Sequence, residues 1–151
     1  AGRVTGLPNP LRLLDGARRS GVTIEGFVYG RGDLTLSGRS GRPVVVRKGD
    51  SLTFTNRDAY RKENGGIFHT VTACRLPCNR SAGIGYPLAN GPVDFDSGEL
   101  GFGPASATAA ANRATWSTPK NLRTGTYAYF CRVHPFMRGS FRVVKGKRKR
   151  S

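Results

Sequence analysis

"TYAYFCRVHPFMRG", residues 126–139, decides how this chain reads. A strand-like run ends at Cys131, and His134 and Met137 then follow at steps of three residues. Along "TYAYFC" a period of two puts Tyr127, Tyr129 and Cys131 on one face and Ala128 and Phe130 on the other. A strand that stops at Cys131 and enters a tight loop can turn thiol, imidazole and thioether toward one point. The chain holds only six soft or borderline ligands: His69, His134, Cys74, Cys78, Cys131 and Met137. Half of them fall in this stretch.

Working outward, the rest of the chain has the texture of an all-β domain. Its 21 glycines and 9 prolines divide it into short segments rich in Val, Thr, Phe and Tyr. Strands are expected in "GVTIEGFVYG" (21–30), "GDLTLSG" (32–38) and, as two strands joined at Lys48-Gly49-Asp50, "RPVVVRKGDSLTFTNRD" (42–58). Further strands are expected in "IFHTVTAC" (67–74), "VDFDSGEL" (93–100), "ATWSTP" (114–119), "GTYAYFC" (125–131) and "GSFRVVKG" (139–146). "SATAAANRA" (106–114) reads as a loop with room for one helical turn. About eight strands at this spacing fit a β-sandwich with Greek-key connections. The domain is expected over 21–146, after an N-terminal extension (1–20), with an insertion at 75–92 and a basic tail (147–151).

His69 offers a fourth ligand from a separate strand, where it shares its face with Val71 and Ala73. Taken singly these residues have ordinary readings. A lone methionine usually fills a core gap, a lone cysteine is a small hydrophobe, and a histidine beside Phe68 can be a satisfied buried side chain. Jointly they use both histidines and the single methionine of the chain on one arrangement. Thiolate, two imidazoles and a weak axial thioether make the mononuclear blue-copper donor set. Structural zinc prefers Cys and His alone. A dinuclear copper centre would suit the Cys74-x-x-x-Cys78 spacing, but "NRSAGIGYP" after it supplies no histidine.

"GTYAYFCRVHPFMRGSFRVV" resembles the C-terminal ligand loop of the cupredoxins, and its Cys-x-x-His-x-x-Met spacing is that of the amicyanin-like members. "VVVRKGDSLTFTNRDA", "FHTVT" and "FDSGEL" resemble, in order, other segments of the plastocyanin/amicyanin group, so the likeness spans roughly residues 42–146. The resemblance implies an eight-stranded Greek-key sandwich holding one copper ion. It implies His69, Cys131 and His134 as equatorial ligands and Met137 as axial ligand. It implies one-electron transfer, not substrate chemistry, so no enzyme and no small-molecule substrate. Asn56 matches a position that braces the ligand loops. Thr70 stands where many relatives carry Asn, and its hydroxyl is the available substitute.

Composition bounds the partners. Lys and Arg number 25 against 9 Asp and Glu, a net charge of +16, which attracts acidic partners. An acidic redox protein is expected, with association that slows as salt rises. Arg132 and Arg138 are expected to border the docking rim formed by His134, Pro135 and Phe136. An anionic surface is a further peripheral contact that "KGKRKRS" (145–151) could make. Nucleic acid is disfavoured, because the aromatic residues are not interleaved with the basic ones as stacking requires. "RGD" (31–33) reads as turn chemistry, and Asn79-Arg80-Ser81 matters only in a glycosylating host.

The odd cysteine count invites a pair and a single thiol. Cys74 and Cys78 are expected to close a small disulfide ring, with two free thiols or a second soft-metal site as alternatives. Such a ring places the protein in an oxidising compartment: exported, periplasmic or at the cell surface. No apolar run approaches the length of a transmembrane helix, and the absence of a leader reads as a mature or trimmed form. The sequence thus leads to an exported carrier of single electrons, with a copper carrier or buffer as the alternative.

Overall fold

The computed structural model describes residues 21–35, 44–61, 66–74, 93–107 and 109–146. The expected 1–20 extension, the 147–151 tail and the whole 75–92 insertion lie outside these residues. Cys78 lies in that insertion, and the expected Cys74–Cys78 bridge therefore falls outside the described residues.

Among the described residues there are eleven strands: β1 (Gly21–Glu25), β2 (Val28–Tyr29), β3 (Val44–Arg47), β4 (Thr53–Asn56), β5 (Thr72–Cys74), β6 (Val93–Asp96), β7 (Gly101–Gly103), β8 (Ala111–Arg113), β9 (Thr115–Ser117), β10 (Gly125–Phe130) and β11 (Arg138–Val144). One sheet has the order β2-β1-β4-β9 and a second the order β3-β11-β10-β5-β6, while β7 and β8 form a separate pair. β1 runs parallel to β4 and β11 parallel to β3; the other pairings are antiparallel. The expected all-β sandwich is therefore present. The turn at Lys48-Gly49-Asp50 carries the chain from one sheet to the other, since β3 and β4 pair in different sheets.

Alternation fixes which faces meet. In β3 Val44 and Val46 are buried while Val45 and Arg47 are exposed. In β11 the buried set is Gly139, Phe141 and Val143. Val22, Ile24 and Phe54 from the first sheet join Val44, Tyr129, Phe141 and Val143 from the second in one core. Each such side chain contributes about 1.5–3 kcal/mol on burial. Tyr129 packs edge-on to Tyr29 at 4.8 Å and to Phe54 at 5.2 Å between ring centres. Gly139 makes room for this stack, because a Cβ there would stand 2.5 Å from the Tyr129 ring.

Three elements differ from expectation. "GVTIEGFVYG" is two strands, folded back through a turn at Gly26-Phe27 where both residues have φ near +61°. Residues 32–35 form no strand beyond a bridge from Asp33 to Gly139. Asp33 instead accepts the backbone N–H groups of Tyr29 and Thr35, the turn role read for "RGD". The small-residue stretch after β7 returns as β8, with no helical turn among its described residues.

Candidate metal centre

β10 delivers Cys131 to one end of the second sheet, and the chain then doubles back into β11. Met137 N–H donates to the His134 carbonyl at 2.9 Å, and Cys131 N–H donates to the Met137 carbonyl at 3.2 Å. These two bonds close the loop. His69 arrives just before β5, pinned by reciprocal bonds with Leu100 at 3.2 and 2.8 Å. Asn56 holds this pair from β4, donating from Nδ2 to the carbonyls of Ile67 and Leu100, each at 2.8 Å. Its bracing reaches the His69 side of the site.

Three donor atoms converge. His69 Nδ1 lies 3.1 Å from His134 Nδ1, and Cys131 Sγ lies 3.7 Å from the first and 3.8 Å from the second. Ligands at about 2.0 Å (N) and 2.3 Å (S) from a common centre stand roughly 3.1–3.8 Å apart at angles of about 100–125°. The triangle therefore has the size a four-coordinate metal ion needs, and all three residues cluster as one metal-binding group. His69 and Cys131 are wholly buried, and His134 is half-buried, so it is the ligand nearest solvent. Met137 is fully buried at the base of the loop.

The protonation states suit ligands. Burial pushes His69 below its ordinary value, and the opposing bond to Asp58 does not restore it. Burial also lowers His134. Both imidazoles are thus neutral near pH 7, with a lone pair to offer. His69 Nε2 faces Asp58 Oδ2 at 2.8 Å, so the ring proton sits there and Nδ1 is left as the donor. Burial pushes the Cys131 thiol up, while N–H donors from Thr70 and His134, each 3.3 Å from Sγ, oppose the rise. These two bonds favour the thiolate that a metal needs.

Asp58 was not legible as a site residue. It is fully buried and accepts from Gly26 N–H (2.8 Å), Phe27 N–H (3.1 Å) and His69, with Arg61 Nε 3.2 Å away. Burial pushes its carboxyl up, but the bonds from Gly26, His69 and Phe27 outweigh this and hold it below the usual carboxylate range. Through Asp58 the β1–β2 turn is docked against the site. The Phe27 ring stands edge-on to both histidines, 5.4 Å from His69 and 4.9 Å from His134. An acid two residues past Asn56, in a chain with so few acids, was the available signal.

Arg132 corrects the expectation of a basic docking rim. It is buried, and Nη1 donates to Asp96 Oδ2 at 2.9 Å. Arg138 is exposed as expected. Thr70 does supply the substitute hydroxyl: its Oγ1 accepts Arg132 N–H at 2.9 Å.

No family model and no curated protein matches the chain. Solved structures do match. The Cu(I) form of a methionine-to-alanine variant of amicyanin is 22% identical, with a TM-score of 0.46 over 82% of this chain and 80% of that one. A reduced tryptophan-to-tyrosine variant of amicyanin is 25% identical, with a TM-score of 0.43 over the same shares. The copper-containing nitrite reductase from Thermus scotoductus SA-01 is 17% identical, with a TM-score of 0.48 over 84% of this chain but only 22% of that one. The chain thus combines a two-sheet β-sandwich with a His–Cys–His donor triangle, and the triangle carries the functional reading.

Proposed function

We propose that this protein is a type 1 copper protein that carries single electrons between partners outside the cytoplasm. The observation that carries the reading is the buried triangle of His69 Nδ1, Cys131 Sγ and His134 Nδ1. Met137, on the loop that closes back onto Cys131, supplies the weak axial thioether. Copper in this donor set takes up and releases one electron, since sulfur suits Cu(I) and imidazole suits both states. The chain holds the donors fixed through Asp58, Asn56, Thr70 and the loop bonds, so little has to move when the charge changes.

Asp58, His69 and Cys131 also stand in the order of a nucleophilic triad. Sγ is wholly buried behind both imidazoles, where no substrate carbonyl could reach it. Electron exchange needs only the exposed edge of His134. Phe136, 63% exposed, and Phe27 flank that edge and make an apolar docking rim. The net charge of +16 selects a partner with an acidic face, and association slows as ionic strength rises.

Loading with Cu(II) is expected to give an intense visible thiolate-to-copper band and a narrow copper hyperfine splitting by EPR. Cys131→Ser is expected to abolish the band. A colourless wild-type Cu(II) protein would end this reading, and metal exchange within seconds without electron self-exchange would replace it with a copper carrier.

A further inference from the structure

A closed polar ring lies directly behind the thiol. The Arg132 backbone N–H donates to Thr70 Oγ1 at 2.9 Å, and Thr70 Oγ1 lies 3.0 Å from Thr72 Oγ1. Thr72 Oγ1 donates to Asp96 Oδ1 at 3.0 Å, and Asp96 Oδ2 accepts the Arg132 guanidinium at 2.9 Å. Gly98 N–H adds a second bond to Asp96 Oδ1 at 3.0 Å. The Arg132 side chain has no solvent exposure and the Asp96 side chain only 17%. A guanidinium is almost never fully buried unless paired, and here it follows the thiol-bearing residue directly in the chain. The same Thr70 whose hydroxyl closes the ring donates its N–H to Cys131 Sγ.

We infer that the Arg132–Asp96 pair is the positioning device of the Cys131 loop, and that each of its two charges biases the redox balance at the metal. The pair ties the residue after Cys131 to β5 and β6, which fixes the Thr70 N–H on Sγ. Each charge acts on the redox balance in its own direction. The guanidinium favours the reduced, less positive metal, and the carboxylate favours the oxidised one. The two effects oppose one another, so removing either shifts the balance in the direction of the other. The inference rests on the copper reading of the site.

The test is a charge cycle on the copper-loaded protein. Asp96→Asn is expected to raise the reduction potential and Arg132→Gln to lower it. The double variant is expected to fall between them, near wild type. Shifts of the same sign in both single variants, or none, would reduce the pair to packing alone. A variant that does not fold leaves a second measurement on the wild-type, copper-free protein. There the Arg132 and Thr70 amide protons are expected to exchange far more slowly than that of the exposed Arg138. Fast exchange at Arg132 and Thr70 overturns the inference. Because that arm contains no copper, it separates failure of the ring from failure of the copper reading.

Discussion

The two sides of the donor triangle are built on opposite principles. On the inner side His69 and Cys131 are wholly buried and braced by charged groups drawn out of water: Asp58 behind the imidazole, Arg132 and Asp96 behind the thiol. On the outer side His134 is half-buried and touches aromatic rings, Phe27 at 4.9 Å and Phe136 at 6.1 Å between ring centres. A buried charge is costly unless every partner is in place, so the inner side has one arrangement and enforces it. The outer side relies on non-directional apolar contact, which a docking partner can remake. Rigidity belongs where the metal geometry is set, and replaceable contacts belong where, on the proposed reading, electrons would leave.

That contrast ranks substitutions by side. Arg132→Ala is expected to be the most destabilising, by about 3 kcal/mol, because it leaves Asp96 without its cation; the remaining exposure of Asp96 and its bonds from Thr72 and Gly98 keep the loss at the low end for a buried pair. Asp58→Ala leaves Gly26 N–H, Phe27 N–H and His69 Nε2 without their acceptor, and about 2–3 kcal/mol is expected. Urea titration of the copper-free protein measures both. An Asp58→Ala protein as stable as wild type would break the contrast.

Acidification probes the same side more gently. His69 is held below its ordinary value of 6.5, so on lowering the pH the unfolded chain takes up that proton first. Stability of the copper-free protein is therefore expected to fall from about pH 6.5 downward, toward the folded-state value of His69. Asp58, also depressed, adds a second loss as its own carboxylate is finally protonated, below about pH 4. A flat stability profile between pH 7.5 and 5 contradicts the buried neutral His69. The smallest effect is expected outside: Phe136→Ala should change stability by less than about 0.5 kcal/mol while slowing electron exchange with the partner, read by stopped-flow kinetics.

The sequence was most legible where its signals were local. β10, the ligand loop and β11 could be read because period-two alternation and three-residue spacing act over a few residues. His69, Val71 and Ala73 are all buried, but so are Thr70 and Thr72 between them, so alternation alone does not set the His69 side apart. What escaped was set by distant partners. Arg132 reads as a surface residue because isolated arginines stay in water, and its partner Asp96 lies 36 positions away. The turn at Gly26-Phe27 has an ordinary glycine but then a phenylalanine in a backbone region that side chains avoid. What holds it there is a carboxylate 32 residues further on. β7 and β8 are short and rich in glycine and alanine, so neither carries an apolar rhythm.

Phe27 is thus a residue on which the backbone and the site disagree. A non-glycine residue at φ +61° gives up about 1–2 kcal/mol, and its ring is what shields the histidine pair. Phe27→Asn, which tolerates that backbone region, is expected to leave stability nearly unchanged, as relief of strain offsets lost packing. Water would then reach the His69–His134 edge, and bound metal should exchange faster. Stability and retention of the metal would part company at this one turn, so selection for a tight site can preserve a residue that selection for folding alone would discard.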